Sequence, residues 1–172
     1  MSVIDMAGVA GDSIVDGPGI RTTYFAQGCP HHCEGCHNPE TWDFGVGTPM
    51  DTETLAEIAR SNPLCRGVTF SGGEPFAQAE GFADLAELLI ADGFEIASYT
   101  GYTFEYLRDH GTPEQKKLLS LLDVLVDGPF ILARRSLDLY YRGSDNQRLI
   151  DVQKSLAAGE AVPAPPRWQG EY

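Results

Sequence analysis

A chain of 172 residues with 42% apolar content is expected to form one globular domain with its own core. The formal net charge is −13, and it sits in the first part. Residues 1–112 hold four Lys and Arg against seventeen Asp and Glu, whereas residues 113–172 hold eight of each. Such an acidic surface repels phosphate backbones, so no nucleic-acid partner is expected, and the plain reading of the charge is solubility. The start, "MSVIDMAGVAGDSIVDG", has no basic opening and no long apolar run, and no window approaches the roughly 20 apolar residues of a spanning helix. The expectation is therefore no signal peptide, no membrane partner and a cytoplasmic location.

In chain order, "TTYFAQG" (22–28) is rich in β-branched and aromatic residues and ends in Gly, which predicts a strand. "DTETLAEIARSNP" (51–63) predicts a helix: Asp51 caps it, Leu55, Ile58 and Ala59 share a face, and Pro63 stops it. "GVTFSGG" (67–73) predicts a second strand. "AEGFADLAELLIADG" (79–93) puts Phe82, Leu85, Leu88 and Leu89 on one side of a helix that ends at Gly93. "FEIASYTGY" (94–102) predicts a third strand, followed by one or two helices in which Thr112-Pro113-Glu114-Gln115 makes a capping box. "DVLVDGPF" (123–130) predicts a fourth strand and "QRLIDV" (147–152) a fifth. The expected organisation is a single domain over 1–152 and a proline-rich tail over 153–172, extended or disordered, in which Trp168 has no assigned place. No internal repeat is visible.

Strands alternating with helices imply parallel βαβ units with right-handed crossovers. The predicted strands run out into Gln27-Gly28-Cys29, Ser71-Gly72-Gly73-Glu74-Pro75, Thr100-Gly101 and Asp127-Gly128-Pro129. In parallel α/β folds the carboxyl edge is where sites are built, so this topology would gather four separate stretches on one rim.

Cys29, Cys33 and Cys36 in "GCPHHCEGCHNPE" have C-x3-C-x2-C spacing. Clustered cysteines outside a secretory context point to metal or redox work rather than disulfides. By spacing alone the site reads equally as zinc, with His31, His32 or His37 as fourth ligand, or as an iron–sulfur cluster. A cluster on three thiolates leaves one iron open to a substrate or cofactor. Cys65 stands apart, and its simple reading is a small buried hydrophobe. In "SGGEP" (71–75) two glycines let a ligand approach the backbone, and Glu74 can accept from an ammonium group; an ordinary strand-to-helix turn reads the same way. No Gly-Lys-Ser/Thr follows, so it is not a Walker loop. "DGPGIRT" (16–22) opens on a turn, and Arg21 is open to reading as a solvated cation, an acid's partner or an anion anchor. "YRGSDNQR" (141–148) reads as a surface loop or part of a binding rim.

Joined to "SGGEP", the pattern "CPHHCEGC" resembles that of the radical S-adenosylmethionine enzymes. "DGPGIRTTYFAQGCPHHCEGCHNPETWDF", "SGGEPF", "YTGY", "VLVDGPF" and "RGSDNQRLIDV" together resemble the family of activating proteins of the anaerobic (class III) ribonucleoside-triphosphate reductases, over roughly residues 14–152. The resemblance implies a shortened open (β/α) barrel with parallel strands and outer helices. It implies a [4Fe–4S] cluster on Cys29, Cys33 and Cys36, with S-adenosylmethionine chelating the open iron. Gly72, Gly73 and Glu74 would lie along its methionine amino group, and Gly35, Cys36 and His37 would line the same pocket. Reductive cleavage would give methionine and a 5′-deoxyadenosyl radical, which would take hydrogen from a glycine of the reductase. A low-potential donor such as a flavodoxin is implied, and no general acid or base is required, so no conventional catalytic residue is expected. Relatives often carry Tyr where this chain has His37, and His stacks less well on an adenine.

Rival readings are an activase of another glycyl-radical enzyme such as pyruvate formate-lyase, a small-molecule radical enzyme of the 7-carboxy-7-deazaguanine synthase type, a non-catalytic zinc-binding module, and an electron-transfer protein with Cys65 as fourth ligand.

Overall fold

The computed structural model describes residues 2–170. The elements run β1 (Val3–Ser13), β2 (Arg21–Ala26), β3 (Thr48–Asp51), α1 (Thr52–Arg60), β4 (Gly67–Gly72), α2 (Ala79–Ala91), β5 (Glu95–Tyr99), α3 (Phe104–His110), α4 (Pro113–Leu121), β6 (Val124–Asp127), β7 (Arg148–Asp151) and α5 (Val152–Ala158). They build one seven-stranded sheet in the order β3-β1-β2-β4-β5-β6-β7. The four central strands are parallel, as expected, and the sheet stays open.

The antiparallel flanks include two strands that the sequence did not announce. β1 pairs with β2 and β3, and β7 pairs with β6. β1 escapes a period-2 reading because Gly8 and Gly11 interrupt it and its register on β2 shifts twice, between Met6 and Gly8 and between Ala10 and Ser13. β3 contains Pro49, which reads as a breaker. It is tolerated because β3 is an edge strand and needs no donor on its outer side.

The helices form where capping and burial agree. Asp51 accepts from Thr54 N at 2.8 Å, and α1 buries Leu55, Ala56 and Ala59. The capping box at Thr112 is complete: its hydroxyl accepts from Gln115 N, and Gln115 Oε1 accepts from Thr112 N. One face of the sheet meets these helices. Tyr24, Val68, Phe70, Ile96 and Leu125 pack there with Phe82, Leu85 and Leu89 of α2. A second cluster contains Ala97, Val124, Val126 and Leu149, the alternate positions on their strands, together with Trp168.

Trp168 corrects the expected tail. Residues 153–158 are helical, capped by Asp151, which accepts from Lys154 N at 3.0 Å. The chain then turns at Gly159 and runs beside β7, with Asp151 N donating to Val162 O at 2.8 Å and Ala164 N to Leu149 O at 2.9 Å. Trp168 is 0% exposed, edge-on to Tyr141 at 5.3 Å, with the Arg21 guanidinium 5.1 Å from its ring centre.

Arg21 is a structural pin at the amino end of the parallel strands, not a solvated cation. It donates to Thr69 Oγ1 (2.9 Å), Glu95 Oε1 (2.8 Å), Val68 O (2.9 Å) and Pro18 O (3.2 Å). Burial pulls its pKa down to about 10, so it remains charged at neutral pH. Asp127 is also structural. It accepts from Phe104 N at 2.8 Å, at the start of α3, and from the fork of Arg148. Among the described residues no helix is long and apolar enough to cross a membrane.

Candidate iron–sulfur and cofactor site

β2 runs out into the cysteine loop at the carboxyl edge of the parallel strands. Gly28 N donates to Thr41 O at 2.6 Å and Cys29 N to Trp42 O at 3.1 Å, which ties the start of the loop to its return. Cys36 N donates to Cys33 O at 3.1 Å, a turn that brings the second and third cysteines together in the chain. All three thiols are half-buried and free of disulfides. Burial pushes the Cys29 thiol up, and a hydrogen bond from the His31 backbone partly offsets this. Asn38 N donates to Cys36 Sγ at 3.4 Å. Such a bond orients the sulfur on the loop without occupying it.

The three histidines have other partners. His31 Nε2 is 2.6 Å from Glu74 Oε1, His32 stacks on Trp42 at 4.7 Å, and His37 lies 5.4 Å from the Phe130 ring. Among the described residues no group of three His, Cys, Asp or Glu is placed to hold a single metal ion. A mononuclear tetrahedral thiolate site would need its sulfurs roughly 3.8 Å apart, from a Zn–S bond of about 2.3 Å.

The "SGGEP" turn packs onto the base of the cysteine loop. Gly73 N donates to Ala26 O and Glu74 N to Gly28 O, both at 2.8 Å. A Cβ on Gly73 would stand 2.3 Å from Gly28 O, so only glycine allows this approach. Gly72 and Gly73 are half-exposed, whereas the Glu74 side chain is fully buried and bonded to protein donors. The carboxylate ties the turn to His31, Thr100 and Gly101.

A cavity of about 600 Å³ opens beside the loop. Cys36, His37, Tyr99, Phe130, Tyr141 and Arg142 are on its wall; Gly35 and the Gly72–Glu74 turn are not. Ligand pockets commonly span about 300–1,000 Å³. Arg142 reads in the sequence only as part of a surface loop or binding rim. Its Nε is buried without a partner among the described residues, and its Nη1 reaches Gln147 O at 3.3 Å. Gln147 Oε1 accepts from Gly143 N and Ser144 N, and its Nε2 donates to Gly128 O, which pins this loop to the end of β6. Soft thiols beside an aromatic-walled cavity with a spare guanidinium donor fit an iron–sulfur cluster and a ligand that bears a carboxylate.

Cys65 lies at the other end. Its thiol donates to Gly67 O at 3.1 Å, at the start of β4, and the six-residue strand separates it from the loop by about 17 Å at roughly 3.3 Å per residue. Cys65→Ser is expected to leave iron and sulfide content unchanged after reconstitution. A drop in either would revive Cys65 as a ligand.

The sheet and its cysteine loop mark a protein of the iron–sulfur class, and a family model described as "4Fe-4S single cluster domain" matches residues 15–150. Three curated relatives carry the name anaerobic ribonucleoside-triphosphate reductase-activating protein. That of Vibrio cholerae is 36% identical over 142 residues, 78% of this chain and 89% of the relative. That of Escherichia coli K12 is 33% identical over 143 residues, 78% and 90%. That of phage T4 is 36% identical over 141 residues, 78% and 86%. The chain belongs to the family of anaerobic ribonucleoside-triphosphate reductase-activating proteins. Among solved structures, QueE from Escherichia coli matches with a TM-score of 0.46 and 22% identity over 59% of this chain and 53% of that one.

Proposed function

We propose that the chain is a radical S-adenosylmethionine enzyme that installs a glycyl radical on an anaerobic ribonucleoside-triphosphate reductase. The observation that carries the reading is the triad Cys29, Cys33 and Cys36 at the carboxyl edge of an open parallel sheet, in a chain of this family. These thiolates hold a [4Fe–4S] cluster. The chemistry supplied there is one-electron reductive cleavage of the sulfonium bond, giving methionine and a 5′-deoxyadenosyl radical that abstracts hydrogen from a glycine of the reductase.

The chain's own residues bind and orient. Asn38 N–H steadies the Cys36 sulfur. Gly72 and Gly73 bring bare backbone to the base of the loop, where the methionyl end of the cofactor binds together with Gly35, Cys36 and His37. Arg142 offers an unmatched donor to a carboxylate. Tyr99, Phe130 and Tyr141 give the cavity an aromatic wall. The electron comes from a low-potential protein donor of the flavodoxin kind, and the reaction belongs in the cytoplasm.

The test is anaerobic reconstitution with iron and sulfide, then dithionite, S-adenosylmethionine and the cognate reductase. The expected products are 5′-deoxyadenosine by mass spectrometry and a glycyl signal by electron paramagnetic resonance. A well-formed cluster that gives neither, with the reductase present, would refute the activase reading. One zinc and no acid-labile sulfide would move the chain to the zinc-module class.

A further inference from the structure

Glu74 is where the cysteine loop, the end of β4, the end of β5 and the approach to α3 meet. Its Oε1 accepts from His31 Nε2 at 2.6 Å, Thr100 Oγ1 at 2.9 Å and Gly101 N at 2.7 Å. Its Oε2 accepts from Phe76 N at 3.1 Å. Four protein donors therefore converge on this carboxylate, three of them on Oε1 and one on Oε2. The Glu74 side chain is 0% exposed and that of His31 17%.

His31 stands midway between Cys29 and Cys33, and its ring is built into place. A Cβ on Gly101 would lie 2.4 Å from the ring, so the glycine two residues past β5 makes room for it. Tyr102 meets it edge-on, with ring centres 4.6 Å apart. A buried carboxylate only accepts, so the imidazole donates from Nε2, and that nitrogen is committed to Glu74 rather than to a metal.

We propose that His31 is a positioning residue for the cofactor. Through Glu74 it fixes the cysteine loop against the Gly72–Gly73 turn, so that the cluster thiols and the backbone that meets the methionyl group keep one relative placement. The inference rests on the activase reading above. Thr100, Gly101 and Phe76 still satisfy Glu74 when the ring is removed, so its loss frees the loop without stranding a buried charge. The effect is therefore on cofactor geometry rather than on folding.

The experiment uses the full chain carrying His31→Ala or His31→Gln, reconstituted anaerobically. It has three readouts: iron and sulfide per chain, the dissociation constant for S-adenosylmethionine from its change in the paramagnetic spectrum of the reduced cluster, and KM and kcat for 5′-deoxyadenosine. In His31→Ala the cluster content stays near that of the parent chain. The cofactor dissociation constant and KM rise about tenfold, and kcat changes less. His31→Gln, whose amide nitrogen reaches as far as Nε2, restores most of the affinity. An unchanged dissociation constant and spectrum in His31→Ala would overturn the proposal. So would loss of the cluster in both variants, which would make His31 a ligand or a folding residue. A parent chain whose cluster does not respond to S-adenosylmethionine would bring down the activase reading itself, and the inference with it.

Discussion

Replacing Cys33 by Ser is expected to remove cofactor cleavage, by at least about 100-fold in 5′-deoxyadenosine formed per chain. Cys33 is the middle thiol of the loop, and its carbonyl closes the turn on Cys36 N at 3.1 Å. A serine oxygen keeps the turn but is a far weaker ligand for iron than a thiolate, because it holds its proton at any working pH. Two thiolates then have to hold a four-iron centre whose remaining positions water can attack. Iron and sulfide content should fall together, and the protein should stay folded, since Cys33 is half-buried on a loop and belongs to neither apolar cluster. Circular dichroism and thermal unfolding of the unloaded chain check the second point. A Cys33→Ser chain that still forms 5′-deoxyadenosine at a tenth of the parent rate would remove this thiol from the centre. It would also reopen the choice among His31, His32 and His37 as ligands.

Much of this was legible in the sequence because the chemistry is local there. Three thiols within eight residues define their own loop, and β-branched runs ending in Gly mark strands whose carboxyl ends must share a rim if the strands are parallel. What was not legible depends on distant partners. Glu74 reads as an open carboxylate in "SGGEP". Only the fold shows that His31, Thr100 and Gly101, separated from it by 43, 26 and 27 positions, bond to it. Arg21 reads equally well as a cation in solvent. Its partners Thr69 and Glu95 and the covering Trp168 lie 48, 74 and 147 positions further on. β1 was missed for the opposite reason: glycines and bulges erase the alternation that a strand normally prints on its sequence.

The tail yields the second large effect. Trp168→Ala is expected to lower the stability of the unloaded chain by about 3–5 kcal/mol, the range for deleting a large buried aromatic. Thermal unfolding should then shift down by roughly 10 °C, since a domain of this size moves about 2–4 °C per kcal/mol. The cost has two parts. The indole fills space against Ala97, Val124, Val126, Leu149 and Ala164, which a methyl group cannot refill. It also faces the buried Arg21 guanidinium, whose charge is held by Glu95 and by the ring, while Arg167 of the same tail pairs with Glu95. Trp168→Phe keeps an apolar ring and should recover more than half of the loss. The consequence reaches the site, because Trp168 packs edge-on to Tyr141, and Tyr141 is on the cavity wall in a left-handed backbone conformation (φ +59°). Loss of the indole removes one of the contacts that hold Tyr141 on the wall, so cofactor affinity should weaken in Trp168→Ala even below its unfolding temperature. A Trp168→Ala chain that unfolds within about 2 °C of the parent would mean that the tail does not dock in solution, and a docked tail is what the packing of Arg21 requires.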